Sequence, residues 1–171
     1  NMSANSVLIR GSENVCIYNN AIVNTRSTAL SCSGKKVSIW NNQLKDVGIM
    51  YNTMAISFGG TDIHVFENKI KDFNYSGIAC GGTSSNGKSS PLTYIIERNI
   101  IGHSKDFIEH YLEHTVADGG GIYIGPQNTR GIIRNNVVQN ITGIHSNRGI
   151  FLDDGAKNLF IYGNYVTGTA N

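Results

Sequence analysis

Charge is scarce in this chain of 171 residues: Asp, Glu, Lys and Arg make up 15%, and they balance to only +2. A nearly neutral chain has no basic field with which to hold nucleic acid, and that class of partner is excluded. No apolar run approaches the length of a membrane span, and no signal peptide is visible. Proline occurs twice, against 20 glycines and 21 asparagines. That imbalance favours many tight turns, with left-handed positions, between short strands. Cysteine is nearly absent too, with residues at 16, 32 and 80 only.

What the chain has instead is self-similarity. Leu159-Phe-Ile-Tyr-Gly-Asn-Tyr-Val166 returns as Val15–Ile22, Val37–Leu44, Ile63–Ile70, Tyr94–Ile101 and Gly131–Val138. Each copy has apolar residues two apart, then an Asn, then a further apolar residue two positions on. The Asn falls at 20, 42, 68, 99, 136 and 164, so the steps are 22, 26, 31, 37 and 28 residues. The shortest step is the repeat and the excess is inserted loop, and a period above 20 residues marks a repeat architecture. A second motif aligns without gaps: Ala29–Cys32, Ala55–Phe58, Gly77–Cys80, Gly121–Ile124 and Gly149–Leu152, with Val7–Arg10 as an earlier member. Corners such as Ser12-Glu13-Asn14 and Gly34-Lys35-Lys36 separate the two motifs.

Strands this short bury a face only when successive repeats stack strand on strand. The expectation is a single all-β domain over residues 1–171, a right-handed parallel β-helix (a solenoid) of about six to seven coils. Leu30, Ile56, Ile78, Ile122 and Ile150 should form one interior ladder. The recurrent Asn should take the left-handed conformation at a corner and bond to the Asn above and below. Cys32 and Cys80 fall two coils apart, roughly 9–10 Å at the strand spacing, which is beyond disulfide reach. Two loops, 81–93 and 102–119, interrupt the pattern on adjacent coils. Within the second, residues 105–114 read as a short amphipathic helix with Phe107, Ile108, Tyr111 and Leu112 on one face. The chain opens inside a repeat without a capping segment, so remaining coils of a longer chain, or partner subunits, are expected to complete it.

The repeated Asn-Asn-x-Val/Ile coils resemble the right-handed parallel β-helix proteins of the pectate-lyase-like superfamily, over nearly the whole chain. More narrowly, Asp118-Gly-Gly-Gly-Ile-Tyr123 followed by Gly149-Ile-Phe-Leu-Asp-Asp-Gly155 resembles carbohydrate-active members, glycoside hydrolases among them. That resemblance implies a polysaccharide or oligosaccharide substrate and a secreted or cell-surface location.

The residues themselves allow such chemistry. Asp118 precedes the strand 120–124, and Asp153 and Asp154 follow the equivalent strand one coil on. Tyr123 and Phe151 should point outward between them and stack on a sugar ring, with Gly119, Gly120, Gly121 and Gly149 admitting it closely. Glycosidic cleavage needs two carboxyl groups within about 5–10 Å of each other, so Asp118 is expected to bend back toward Asp153 or Asp154. His145, Arg148, His114 and Glu113 are candidate substrate contacts on the flanking loops. His110 and His114 stand four apart, but Glu109-His-Tyr-Leu-Glu-His114 lacks the His-Glu-x-x-His pattern of zinc proteases. No metal or cofactor is expected. Two other readings compete: a lyase for uronate polymers using Arg148, Arg130, Arg134 or Lys157, and a non-catalytic glycan-binding or adhesive surface.

Overall fold

A computed structural model describes residues 5–50, 53–80, 92–111, 118–125, 129–143 and 147–169. Apolar and β-branched residues at every second position make strands wherever the repeats place them. The first long strand, β1 (Val7–Tyr18), leads into the short β2 (Ala21–Thr25), and the pattern recurs in β3 (Leu30–Trp40) and β4 (Gln43–Val47). The third repeat holds β5 (Met54–Phe66) and β6 (Lys69–Phe73), and then the long strand splits in two. The following copies are β7 (Ser76–Cys80), β8 (Leu92–Glu97) and β9 (Ile100–Gly102), then β10 (Gly120–Ile124), β11 (Thr129–Arg134) and β12 (Val137–Gln139). The last copy is β13 (Arg148–Leu152), β14 (Leu159–Tyr162) and β15 (Tyr165–Thr167).

All pairings among these strands are parallel, and each joins one repeat to the next. Val15, Val37, Ile63, Tyr94, Gly131 and Leu159 stand in one register. Ile22, Leu44, Ile70, Ile101, Val138 and Val166 stand in another, on a second parallel sheet. The chain is therefore all-β and built of parallel sheets. The larger sheet forks at β5, whose first half pairs with β7 and whose second half pairs with β8. One limb continues through β10 and β13, the other through β11 and β14.

The interior ladder is present as expected from Leu30 through Ile56, Ile78 and Ile122 to Ile150. Its first member is displaced by one residue: Val7, not Leu8, stands against Leu30, and Leu8 is 48% exposed. A bulge between Arg10 and Ser12, at the left-handed Gly11, absorbs the offset. The corners expected at 12–14 and 34–36 do not break the strands. A single left-handed residue, Asn14 or Lys36, turns the chain while pairing continues on both sides.

The asparagine ladder runs the length of the structure. Asn20, Asn42, Asn68, Asn99 and Asn136 each donate both their backbone N–H and Nδ2 to the Oδ1 of the next Asn, at 2.9–3.1 Å, ending on Asn164. The left-handed residue is not the ladder Asn, however, but the one before it. Asn19, Asn41, Glu67, Arg98, Asn135 and Gly163 have φ between +51° and +67°. The chain turns there, which swings the following amide inward, where from Asn42 onward it ties two backbone carbonyls and its neighbours together.

A second left-handed column follows at Asn24, Asp46, Asp72, Asn140 and Gly168. In the fourth copy that place belongs to His103, which is buried between the Phe73 and Phe107 rings, at 4.5 and 4.6 Å between centroids. The chain departs there into α1 (Lys105–Tyr111). Ser104 caps this helix, accepting the Phe107 N–H at 3.2 Å while donating its own N–H and hydroxyl to Asp72 at 2.6 and 3.0 Å. The rest of the expected helix, and most of the 81–93 loop, lie outside the described residues; Leu92 and Thr93 already belong to β8. Cys32 and Cys80 are separated by Phe58 in the register and are free, as is exposed Cys16.

Candidate functional site

The limb formed by β7, β10 and β13 carries the residues singled out by chemistry. Because Ile122 is fully buried and Ile150 packs on the core, Tyr123 and Phe151 take the opposite, outward parity and stand adjacent in the register. Their rings meet edge to face at 5.3 Å. Tyr75, just ahead of β7, brings a third ring to 6.3 Å from Tyr123. Tyr75 escaped sequence reasoning because it holds the place that Gly119 holds in the next repeat, and only strand register shows the equivalence.

Asp153 lies under the Tyr123 phenol, which donates to its Oδ2 at 2.9 Å. Its Oδ1 accepts the Asp154 N–H at 2.8 Å, and its carbonyl accepts the Ala156 N–H at 2.8 Å. Left-handed Asp154 and Gly155 complete this turn. The Asp-Asp-Gly segment is thus a built turn, and one that also aims a carboxylate oxygen at the aromatic face. At the other end of the strand, left-handed Asp118 extends a side chain that is 71% exposed, 3.6 Å from Arg148 Nη1. The Arg148 guanidinium lies 4.1 Å over the Phe151 ring.

Electrostatics tie the two ends together. Burial pushes the Tyr75 phenol up, and the Asp118, Asp153 and Asp154 carboxylates push it further in the same direction. Burial is also the main cause raising the Tyr123 phenol, followed by its hydrogen bond to Asp153. Both phenols therefore stay protonated donors at neutral pH. Among the described residues, this is where three carboxyl groups, two phenols and a guanidinium share one sheet face.

The glycines have a different purpose from the one expected. An ideal Cβ on Gly121 would collide with Val138 Cγ1 and approach the Gly149 carbonyl to 2.8 Å, and one on Gly149 would collide with Val166. A Cβ on Gly119 would collide with the Tyr75 carbonyl. These three admit the second sheet and the backbone of the neighbouring repeat, not a substrate. Of the four, Gly120 alone is aligned with the outward row, opposite Arg148. Ala29 and Ala55 hold the place of Gly121 and Gly149 in earlier repeats, fully buried.

Glu113, His114 and His145 lie outside the described residues. Arg134 is engaged elsewhere: its Nε donates to Glu97 Oε2 at 2.6 Å and its Nη1 to the Tyr162 phenol at 3.0 Å. Among the described residues, no group of three His, Cys, Asp or Glu side chains is arranged to hold a metal ion. No protein-family model, curated protein or solved structure matches the chain. Fold and site together define an all-β protein of stacked parallel strands with an aromatic, carboxylate-bearing face.

Proposed function

We propose that the chain is a right-handed parallel β-helix, akin to the pectate-lyase-like proteins, that binds an extended glycan on the Tyr75–Tyr123–Phe151 face and hydrolyses a glycosidic bond there. The hand rests on a general rule: connections between parallel strands of one sheet are right-handed in about 98% of cases. The function rests on one observation above the others, the Asp153 carboxylate bonded by the Tyr123 phenol beside the Phe151 and Tyr75 rings; Asp118 and Asp154 add their charge at Tyr75. Aromatic rings bind the apolar faces of sugars, and a carboxyl pair is the machinery of glycoside hydrolysis. Asp153, oriented by Tyr123, takes the base or nucleophile role. Asp154 is the neighbouring carboxyl group available for proton donation, while Asp118, paired with Arg148, holds the far end of the face. Arg148 is occupied with Asp118 and Phe151, which favours hydrolysis over a lyase reaction led by that arginine. An extended polysaccharide of this kind places the protein outside the cell or at its surface.

Hydrolysis leaves new reducing ends without ultraviolet absorbance, whereas a lyase leaves an unsaturated uronate that absorbs. Reducing ends alone are expected, and Asp153→Asn should lower turnover by about 100-fold or more with the thermal midpoint kept close to the parent's. Absorbing product from a uronate polymer, or full turnover in Asp153→Asn, would overturn the assignment.

A further inference from the structure

The other limb of the forked sheet carries a groove of about 830 Å³ that none of this chemistry uses. Its floor is a straight outward row of side chains in strand register: His64, Ile95, Ile132 and Phe160. Its rim is the neighbouring row, which includes Asp62 and Arg130. Three steps between strands make the row about 14 Å long, and the volume is that of a small-molecule site.

Two details show that the groove is built rather than left over. His64 is fixed from behind by Glu97, whose carboxylate is almost fully buried and bonds His64 Nε2 at 3.0 Å. Burial by itself would raise the Glu97 carboxyl, and it is outweighed by the bonds from Arg134 and His64 and the charge of Arg98, which hold it down. A charged side chain this enclosed carries a desolvation cost, and it ties the groove-floor imidazole to Arg98 and Arg134, each 2.6 Å from its oxygens. On the rim, the Asp62 N–H donates to Thr93 Oγ1 at 2.6 Å, and that hydroxyl lies 3.3 Å from Asp62 Oδ1, which fixes the carboxylate's position.

We infer that this groove is a binding site for a neutral, linear oligosaccharide. The strands under it already pair on both sides along most of the row, so a peptide cannot add to the sheet as a strand there. Apolar groups at the strand spacing, flanked by one cation and one anion, suit a repeating ligand with flat apolar faces and many hydroxyls. The charges of Arg130 and Asp62 offset each other and call for no net charge on the ligand. The groove is joined to the proposed hydrolytic face by one short segment of chain. Asn158 on its rim ends the short segment that begins at Asp153. Only the choice of occupant rests on the glycan reading of that face.

The test is calorimetric titration of the folded Asp153→Asn protein, in which turnover is suppressed, with linear tetrasaccharides of glucose, mannose, galactose and xylose. Tetragalacturonate serves as the charged comparator. At least one neutral tetrasaccharide should bind, and Ile132→Arg in the same background should weaken it by roughly tenfold or more. Phe160→Ser, at a side chain 69% exposed, serves the same purpose should the arginine variant fail to fold. No binding by any neutral probe, preference for tetragalacturonate, or unchanged affinity in a folded groove variant would overturn the inference. Turnover by the parent protein is measured separately. Groove binding without any turnover would remove the hydrolytic reading and leave this one standing.

Discussion

Asn68 shows how much a single amide does here. It is fully buried, and its Nδ2 donates to the Ile39 and Phe66 carbonyls and to Asn99 at 2.9–3.1 Å. Its Oδ1 accepts from both the N–H and the Nδ2 of Asn42 at 3.0 Å. Truncation strands buried donors and acceptors in two adjacent repeats, each costing about 1–3 kcal/mol. Asn68→Ala should therefore destabilise by about 2–5 kcal/mol in urea denaturation. Asn41→Ala removes only an exposed bond to Asn19 and a left-handed preference, and should cost about 1 kcal/mol. Equal losses in the two variants would refute the ladder's role in stability. His103 makes a second residue-scale case. Burial lowers it from the ordinary 6.5 to about 4, so as pH falls the unfolded chain takes up its proton first. Its contribution is complete above pH 6.5 and is lost as pH falls toward 4, about 3 kcal/mol in all. His103→Phe should flatten the dependence of the unfolding midpoint on pH across that window. An unaltered slope would show that the acid sensitivity arises elsewhere.

At the scale of the strand, the corners decide more than the straight runs. Asn14, Lys36, Asp62 and Asn158 are the left-handed residues at which the long strands, or the paired limbs, turn. Three of the four are Asn or Asp, whose short polar side chains tolerate that region, while lysine meets a steric penalty there. The ion pair from Lys36 to Glu13 is 4.0 Å long and more than half exposed on the lysine side, and pairs of that kind contribute little. Lys36→Asn should accordingly stabilise by about 0.5–1 kcal/mol, read as a rise in thermal midpoint. A fall would mean that the lysine contributes more than its geometry shows. The outward aromatic row of Tyr18, Trp40 and Phe66 belongs to the same scale. These rings stack face to face at 4.8 and 5.7 Å, within 7° of parallel. Their faces are spent on each other, so the row holds the strand edges together and offers no platform for a sugar.

Across the whole molecule, the parallel all-β plan was legible from the amino acids because a period-2 apolar pattern and a recurrent asparagine are both consequences of stacking. Residues that must touch their equivalents one repeat away have to recur. The interior ladder, the unpaired cysteines and the outward parity of Tyr123 and Phe151 followed from the same periodicity. What the linear order left undecided is whatever depends on a neighbour distant in the chain. Gly121 and Gly149 look like room for a substrate until Val138 and Val166 are seen to fill it from the second sheet. Tyr75 looks like a loop residue until register sets it against Gly119 and its ring is seen to reach within 6.3 Å of Tyr123. The one-residue offset at Leu8 was hidden because a bulge at Gly11 costs nothing in local pattern and is revealed only by the partner strand. Alternation along a strand is a property of the backbone and can be read from one chain segment. The meeting of side chains is a property of three-dimensional packing, and only the fold brings Asp153 under Tyr123 and His64 against Glu97.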